Sequence, residues 1–488
     1  MSKDTHLILV IISGNEKEAI NVVKRGNSNP EVVNAYGDTA LLLSIHYSME
    51  ELAFELLKTN NANPAHIDKH GNSALILAIK KNLESVANMI ITKYDNYNIN
   101  HIDAHNDNAL SVALRLGMYC IANKLINNRE CDVAQIDGQG DTPLIIAIDM
   151  CGQVDEEQEL KDKAQKEEYR KIAKKLIETN HSKPSHINKH GFTALLLALC
   201  KDEPKIAELI IKTDKSLPLY IGNTGDTALT LALSKDYEHI AKLILTYDTS
   251  SKSNISHINE NGDTALLLAL SKDYENIAKL ILTYDTSKSH ISHINENGDT
   301  ALLLALSKNY LDVANELLLH DVQHLSHINE NGDISLFLAI NSGDESIALK
   351  IFDSGKSNFE HISNEQCSSL IMAINNGMHV LASKIINVAS KELLEFINKE
   401  NDTALILAIA KQFWTIAEQI INTGFYLPEH VNNQNDTALI LALAMGNVYI
   451  AELLLQNDSC NKYHINNFET SALDIIKHNN YNNLLKYF

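Results

Sequence analysis

The chain repeats itself. The stretch HINENGDTALLLALSKDYENIAKLILTYDTS beginning at His257 returns almost letter for letter from His293 as HINENGDTALLLALSKNYLDVANELLL. Aligning on the leucine of the T-A-L step gives Leu41, Leu75, Leu110, Leu144, Leu195, Leu229, Leu266, Leu302, Leu336, Leu370, Leu405, Leu439 and Leu473. Of the 12 gaps, 11 lie between 34 and 37 residues and one is 51. A unit of this length is a supersecondary motif that cannot bury its apolar face alone, so it must stack on copies of itself. The 488 residues, enough for several ordinary domains, are therefore read as one repetitive array.

Each unit reads as turn, helix, turn, helix. Asn261-Gly262 is a hairpin-turn signal, because a tight turn needs residues that tolerate positive φ. Two residues later Thr264 is placed to cap a helix over Ala265 to Ser271. The same slot holds Thr39, Ser73, Asn108, Thr142, Thr193, Thr227, Thr300, Ser368, Thr403, Thr437 and Ser471, and only Ile334 breaks the rule. The second helix carries an aliphatic residue followed by alanine, as in Val86-Ala87, Ile240-Ala241, Ile277-Ala278, Ile416-Ala417 and Ile450-Ala451. The alanine lets neighbouring helices approach, and the aliphatic residue fills the layer between repeats.

These residues resemble the ankyrin repeat. Its pattern D-x-x-G-x-T-P-L-H-x-A maps without gaps onto Asn259 to Ala269, and most closely onto Asp137-Gly138-Gln139-Gly140-Asp141-Thr142-Pro143-Leu144, the one unit that keeps the proline. Elsewhere alanine or another small residue stands for the proline, and another residue for the histidine. The resemblance implies an all-α ankyrin-repeat solenoid of about thirteen helix-turn-helix repeats with short β-hairpin loops. Residues 1–30 are expected to form an N-terminal capping helix pair, 31–150 repeats one to four, 151–171 a charged helical insert within repeat four, and 172–488 the remainder. No stretch is left for an appended catalytic domain, and the stacked contour is expected to be ~130 Å.

Composition narrows the function. With 62 Asp and Glu against 41 Lys and Arg the net charge is −21, which disfavours a nucleic-acid partner in the absence of a local basic stripe. The longest early apolar run, Leu7 to Ile12, is far shorter than the ~20 residues that cross a bilayer, and no basic n-region precedes it. Membrane insertion is not expected, and the chain reads as cytoplasmic. The six cysteines, Cys120, Cys131, Cys151, Cys200, Cys367 and Cys460, form no C-x-x-C pair and read as reduced thiols. No HExxH, GxSxG, Walker or kinase signature occurs, so neither a catalytic site nor a cofactor is expected. A Cys-His pair created by folding stays open.

Several features depart from a plain array. The 51-residue gap holds a surplus in which Glu157 and Lys161, and Glu159 and Lys163, are spaced to pair on a helix. It reads as an N-terminal extension of a second helix, with a solvated projection and a partner-binding projection both open. At Gln366 the turn glycine is replaced, a candidate bend. Nine units carry histidine in one slot: His66, His101, His186, His257, His293, His327, His361, His430 and His464. Stacked repeats advance by about 10 Å, whereas a zinc ion needs nitrogens ~2.1 Å away. A bond or packing contact to the adjacent loop is therefore expected, no metal is expected, and a pH response stays open. The Ile or Val after the histidine reads as a packing ladder.

Asp stands in the slot after the turn-glycine position in nine units, where the helix dipole favours it; in three of them, at Asn106, Asn401 and Asn435, asparagine replaces the glycine. The resemblance implies that hairpin tips and first helices form a concave partner-binding surface. On it Glu260, Asp263, Glu296, Asp299, Glu330 and Asp333 are the candidate acidic strip, suited to a basic protein segment. Phe413-Trp414 opens a late second helix where other units have Tyr274-Glu275 or Tyr310-Leu311, which makes the pair a candidate hot spot. The expected function is a monomeric protein-interaction scaffold. With TALLLA in place of TPLHLA, the chain is similar to ankyrin proteins that intracellular bacterial pathogens deliver into host cytosol, which implies a host protein as partner. A cryptic enzyme or enzyme inhibitor, and a structural anchor of a cytoskeletal or membrane complex, are the alternatives.

Overall fold

A computed structural model of the protein describes residues 3–26, 29–59, 61–152, 159–213, 216–247, 255–284, 291–320, 324–457 and 459–488. It is all-helical, and its hairpins hold isolated bridges, such as Ile258 to Thr264, rather than strands. The chain divides into two compact units, Met1–Ile255 and Ser256–Phe488. The first contains the helix pair Lys3–Ile12 and Glu16–Lys24 and the first six repeats; the second contains the other seven. Within each unit, first helices pack on first helices and second on second. In the first unit Lys3–Ile12 lies on the first helix of repeat one, burying Leu7 and Ile11.

The first helices are seven residues long in twelve repeats and nine at Pro143–Cys151, too short to persist alone. Packing and capping sustain them. In Ala265–Ser271 every residue from Ala265 to Leu270 is buried. The Thr264 hydroxyl accepts the Leu267 N–H at 3.2 Å, and all twelve polar residues of this slot cap in the same way. Ile334 makes no cap bond and is fully buried instead. Beside it, the buried Ser335 hydroxyl has no hydrogen-bond partner among the described residues, whereas Ser369 in the next repeat donates to the Phe359 carbonyl. Most repeats carry alanine there. Ser335→Ala is therefore expected to stabilise the protein by about 1 kcal/mol in urea titrations, and Ser369→Ala to destabilise it.

The turn between the two helices needs one left-handed residue. Asp273 supplies it at φ 63°, and Asn82, Asp202, Asp236, Asn309 and Gly343 occupy equivalent positions. The second helices begin at residues such as Met49, Leu83 and Met378 that make no side-chain cap. Some are capped by the previous repeat: Glu345 Oε1 accepts the N–H groups of Val380 and Leu381 at 2.9 and 3.0 Å. Glu16 does the same for Leu52 at 3.1 Å. The aliphatic-alanine pairs are buried throughout, among them Ile277 and Ala278.

The long second helix of repeat four runs Glu159–Glu178. Residues 153–158 and the side-chain pairs expected at Glu157–Lys161 and Glu159–Lys163 lie outside what is described. Its C-terminal half serves as an ordinary outer helix. Tyr169 is fully buried and donates to the Leu114 carbonyl at 2.7 Å. Arg170 forks onto the buried Glu203 through two 2.8 Å bonds, and Lys166 adds a third contact at 3.0 Å.

A second buried ionic cluster joins repeats three and four. Arg115, at the end of Ala109–Arg115, contacts Asp137 through Nε at 3.1 Å and through Nη2, and Asp141 through Nη2 at 3.0 Å. The Asp137 side chain has no exposed surface. Burial pulls the guanidinium pKa down, but bonding to the two carboxylates outweighs it, so the net shift is upward. Lys80 contacts Asp103 in the same way one repeat earlier. In most other repeats the loop residue is Asn and no cation stands at the helix end, as with Ser234 and Asn259.

Candidate functional site

The hairpin is built by its first polar residue. Asn259 Oδ1 accepts the N–H groups of Asn261 and Asp263 at 3.1 and 2.9 Å, while its own N–H donates to the Asp263 carbonyl at 3.0 Å. Gly262 closes the turn at φ 74°. Gln366 adopts the same left-handed conformation at φ 55°, and its N–H reaches the Ser363 carbonyl at 2.9 Å. The hairpin there has the same local form as its neighbours.

Histidine joins one hairpin to the next. His293 Nε2 donates to the Gly262 carbonyl at 2.7 Å, His327 to Gly298 at 2.8 Å and His361 to Gly332 at 3.0 Å. His66, His101, His186, His430 and His464 make the same bond to the preceding turn. A carbonyl only accepts, so the geometry fixes the Nε2–H form, and the imidazolium keeps that donor. Protonation does not by itself remove this bond. His293→Leu, which orphans the Gly262 carbonyl, is expected to cost about 1 kcal/mol in urea unfolding; an unchanged midpoint would show the bond to be idle.

The Asp row serves the same joint. Asn295 Nδ2 donates to Asp263 at 3.4 Å, Asn329 to Asp299 at 3.0 Å and Asn466 to Asp436 at 2.7 Å. Asp333 lacks this bond because Ser363 stands where the asparagine should be. Burial, then Asp299 and Glu365, push its carboxyl pKa up; burial does the same to Asp263 and Asp402. A carboxyl whose pKa is raised on folding contributes stability below its unfolded pKa and loses it as pH rises through the folded one. Ionised Asp333 therefore opposes folding at neutral pH. Asp333→Asn is expected to raise the urea midpoint at pH 7, with the gain shrinking as pH falls through the carboxylate range.

The Glu residues stand apart from the Asp row. Ile258 pairs with Thr264 across the hairpin, Glu260 lies in the turn that the Gly262 N–H closes onto the Asn259 carbonyl, and Asp263 follows it, bonded to Asn295 of the next repeat. Glu260, Glu296 and Glu330 are exposed, and no cation or hydrogen-bond donor meets their carboxylates among the described residues. In the next two repeats the slot holds Asn364 and Lys399 and the acid stands one position later, at Glu365 and Glu400, between which Lys399 sits at 3.5 and 4.0 Å. The first unit is different. Its exposed tips carry Lys69, His70, His105, Lys189 and His190, with Lys69 and Lys189 tied to the Ala35 and Gly138 carbonyls at 2.7 and 2.8 Å. Comparing the two tip positions across all thirteen repeats would have found this division in the sequence.

The Ile or Val expected to pack as a ladder is half-exposed: Ile67 is 38%, Ile328 39% and Ile465 56% accessible. Phe413 and Trp414 are both half-buried. Phe413 precedes the helix Trp414–Thr423 and meets the His379 ring edge-on at 4.3 Å, so its inner side is used in packing.

A cavity of about 560 Å³ in the first unit brings Cys131 and His181 into one lining. Burial, with Asp132 adding to it, pushes the Cys131 thiol up to about 12, opposite to the shift that makes a nucleophile. Burial likewise raises Cys151 to about 12 and Cys460 to about 11. All three are expected to resist iodoacetamide at pH 8 in the native protein and to label in urea, read by mass spectrometry. Among the described residues no three His, Cys, Asp or Glu side chains converge to hold a metal, and no helix is long and apolar enough to cross a membrane.

A family model described as ankyrin repeats (3 copies) matches residues 7–103, 160–255, 222–290, 249–326 and 370–466, well over half of the chain. The chain belongs to the ankyrin-repeat family. Ankyrin repeats bind protein partners, which makes this array a protein-interaction scaffold. No curated protein matches it. Among solved structures, the ankyrin repeat domain of Bcl-3, described as a unique member of the IkappaB protein family, is similar at 18% identity. That likeness covers 48% of this array and 99% of that domain, with a TM-score of 0.32.

Proposed function

We propose that this ankyrin array binds a basic segment of a partner protein along the hairpin edge of its second unit. The observation that carries the reading is the row Glu260, Glu296 and Glu330, exposed and, among the described residues, unpaired in the same slot of three consecutive repeats. Like charges held in register at a spacing of ~10 Å raise the local potential, and a cationic chain relieves it. Asp263, Asp299 and Asp333 add to the field, although the carboxylates of Asp263 and Asp299 are already bonded to Asn295 and Asn329. Phe413 and Trp414 are the proposed apolar anchor later in the unit. The similarity to delivered bacterial effectors supports a host-cell protein as the partner and host cytosol as the site of action.

The test is capture from host lysate by the full chain, with partners identified by mass spectrometry and binding repeated across salt. Capture of the same basic protein by wild type, weakened about tenfold in Glu260→Gln/Glu296→Gln/Glu330→Gln and weakened by salt, is expected. Capture indifferent to both would sink the reading.

A further inference from the structure

The basic-segment reading leaves open how a partner lies on the edge, and a second row answers that. In all seven repeats of the second unit the residue after the histidine slot, or its equivalent, is Ile or Val, and it stays half-exposed. Threonine would satisfy the same β-region backbone preference without exposing hydrocarbon, and exposed apolar rows of this extent mark contact surfaces. In three consecutive repeats this aliphatic residue, Ile258, Ile294 or Ile328, stands two positions before an exposed Glu on the same hairpin. Those three repeats therefore each offer one aliphatic and one acidic group at the stacking distance of ~10 Å, whereas the next four carry Asn364, Lys399, Asn433 and Asn467 in the Glu slot.

We propose that the partner segment binds this edge as a polyproline-II strand with a lysine or arginine at every third residue and aliphatic residues between. A polyproline-II chain rises ~3.1 Å per residue and turns once in three, so every third side chain returns to one face after ~9.3 Å. That step matches the repeat. A β-strand of the same length puts successive third residues on opposite faces, and a helix needs about seven residues to advance as far. The strand sets its cations against Glu260, Glu296 and Glu330 and its aliphatic groups against Ile258, Ile294 and Ile328. The inference rests on the acidic-edge reading above and adds conformation and register to it.

The test uses the full chain and fluorescein-labelled 15-residue peptides in anisotropy titrations at low and moderate salt. The probes are (Pro-Ile-Lys)5, the same composition with its lysines clustered, a helix-forming peptide with lysine at every seventh residue, and (Pro-Ile-Glu)5. The threefold peptide is expected to bind about tenfold or more tightly than the clustered and helical ones. Ile294→Thr/Ile328→Thr and Glu296→Gln/Glu330→Gln, each with unchanged circular dichroism, are each expected to weaken it several-fold. Equal binding of all cationic peptides overturns the register while the acidic-edge reading stands. Tighter binding of the helical peptide overturns the polyproline-II conformation. Failure of every cationic peptide, or binding of (Pro-Ile-Glu)5 as tightly as (Pro-Ile-Lys)5, overturns both.

Discussion

Arg115→Met is expected to destabilise the protein by about 3 kcal/mol, because it strands the fully buried Asp137 carboxylate without its cation. Asp137 would keep only the Gln139 and Asp141 N–H groups, at 3.0 and 2.8 Å. Asp137→Asn should cost far less, since asparagine builds this hairpin in most other repeats and accepts the same two N–H groups. The double variant Arg115→Met/Asp137→Asn recreates the apolar-side solution used elsewhere in the chain and should recover most of the loss. A double-mutant cycle in urea should therefore give a coupling of about 2 kcal/mol. Hydrogen exchange over residues 100–145 localises the effect. Additive single costs would show that the cluster is not a coupled unit.

Phe337→Ala is expected to cost about 3–5 kcal/mol through the cavity it leaves. Phe337 is 1% accessible and stacks on the His361 ring at 5.6 Å, the same ring whose Nε2 donates to the Gly332 carbonyl. Its removal thus loosens both the core and one hairpin joint. Phe337→Leu should cost about 1 kcal/mol, because Leu267 and Leu303 fill this position in the neighbouring repeats. The single tryptophan, Trp414, lies in the same unit and reports the transition by fluorescence. Equal midpoints for the alanine and leucine variants would contradict the cavity argument.

The joints between repeats explain why some residues were legible as elements but not as partners. The histidine slot was visible as a ladder, and a bond to the adjacent loop was among its expected roles. Its acceptor, the preceding turn carbonyl, lies 29 to 31 residues away within the second unit. The Asp row read equally well as dipole complement or binding strip, because nothing local says that Asn295 and Asn329 will reach across to Asp263 and Asp299. The candidate strip consequently separates into a joint-forming Asp row and a free Glu row. Cysteine reactivity was likewise invisible, since the pKa of Cys131 is set by what covers it.

The sequence by itself determined the repeat register, the caps and the left-handed turn positions, because each depends on residues within about five positions of one another. Thr264 caps Leu267, and Gly262 or Gln366 closes a hairpin, whatever lies beyond. Only the tertiary structure decided which polar groups are used up in stacking and which stay free, and that the Ile row remains half-exposed. Those outcomes depend on which side chains a neighbouring repeat covers, and burial of that kind is a property of adjacency in space.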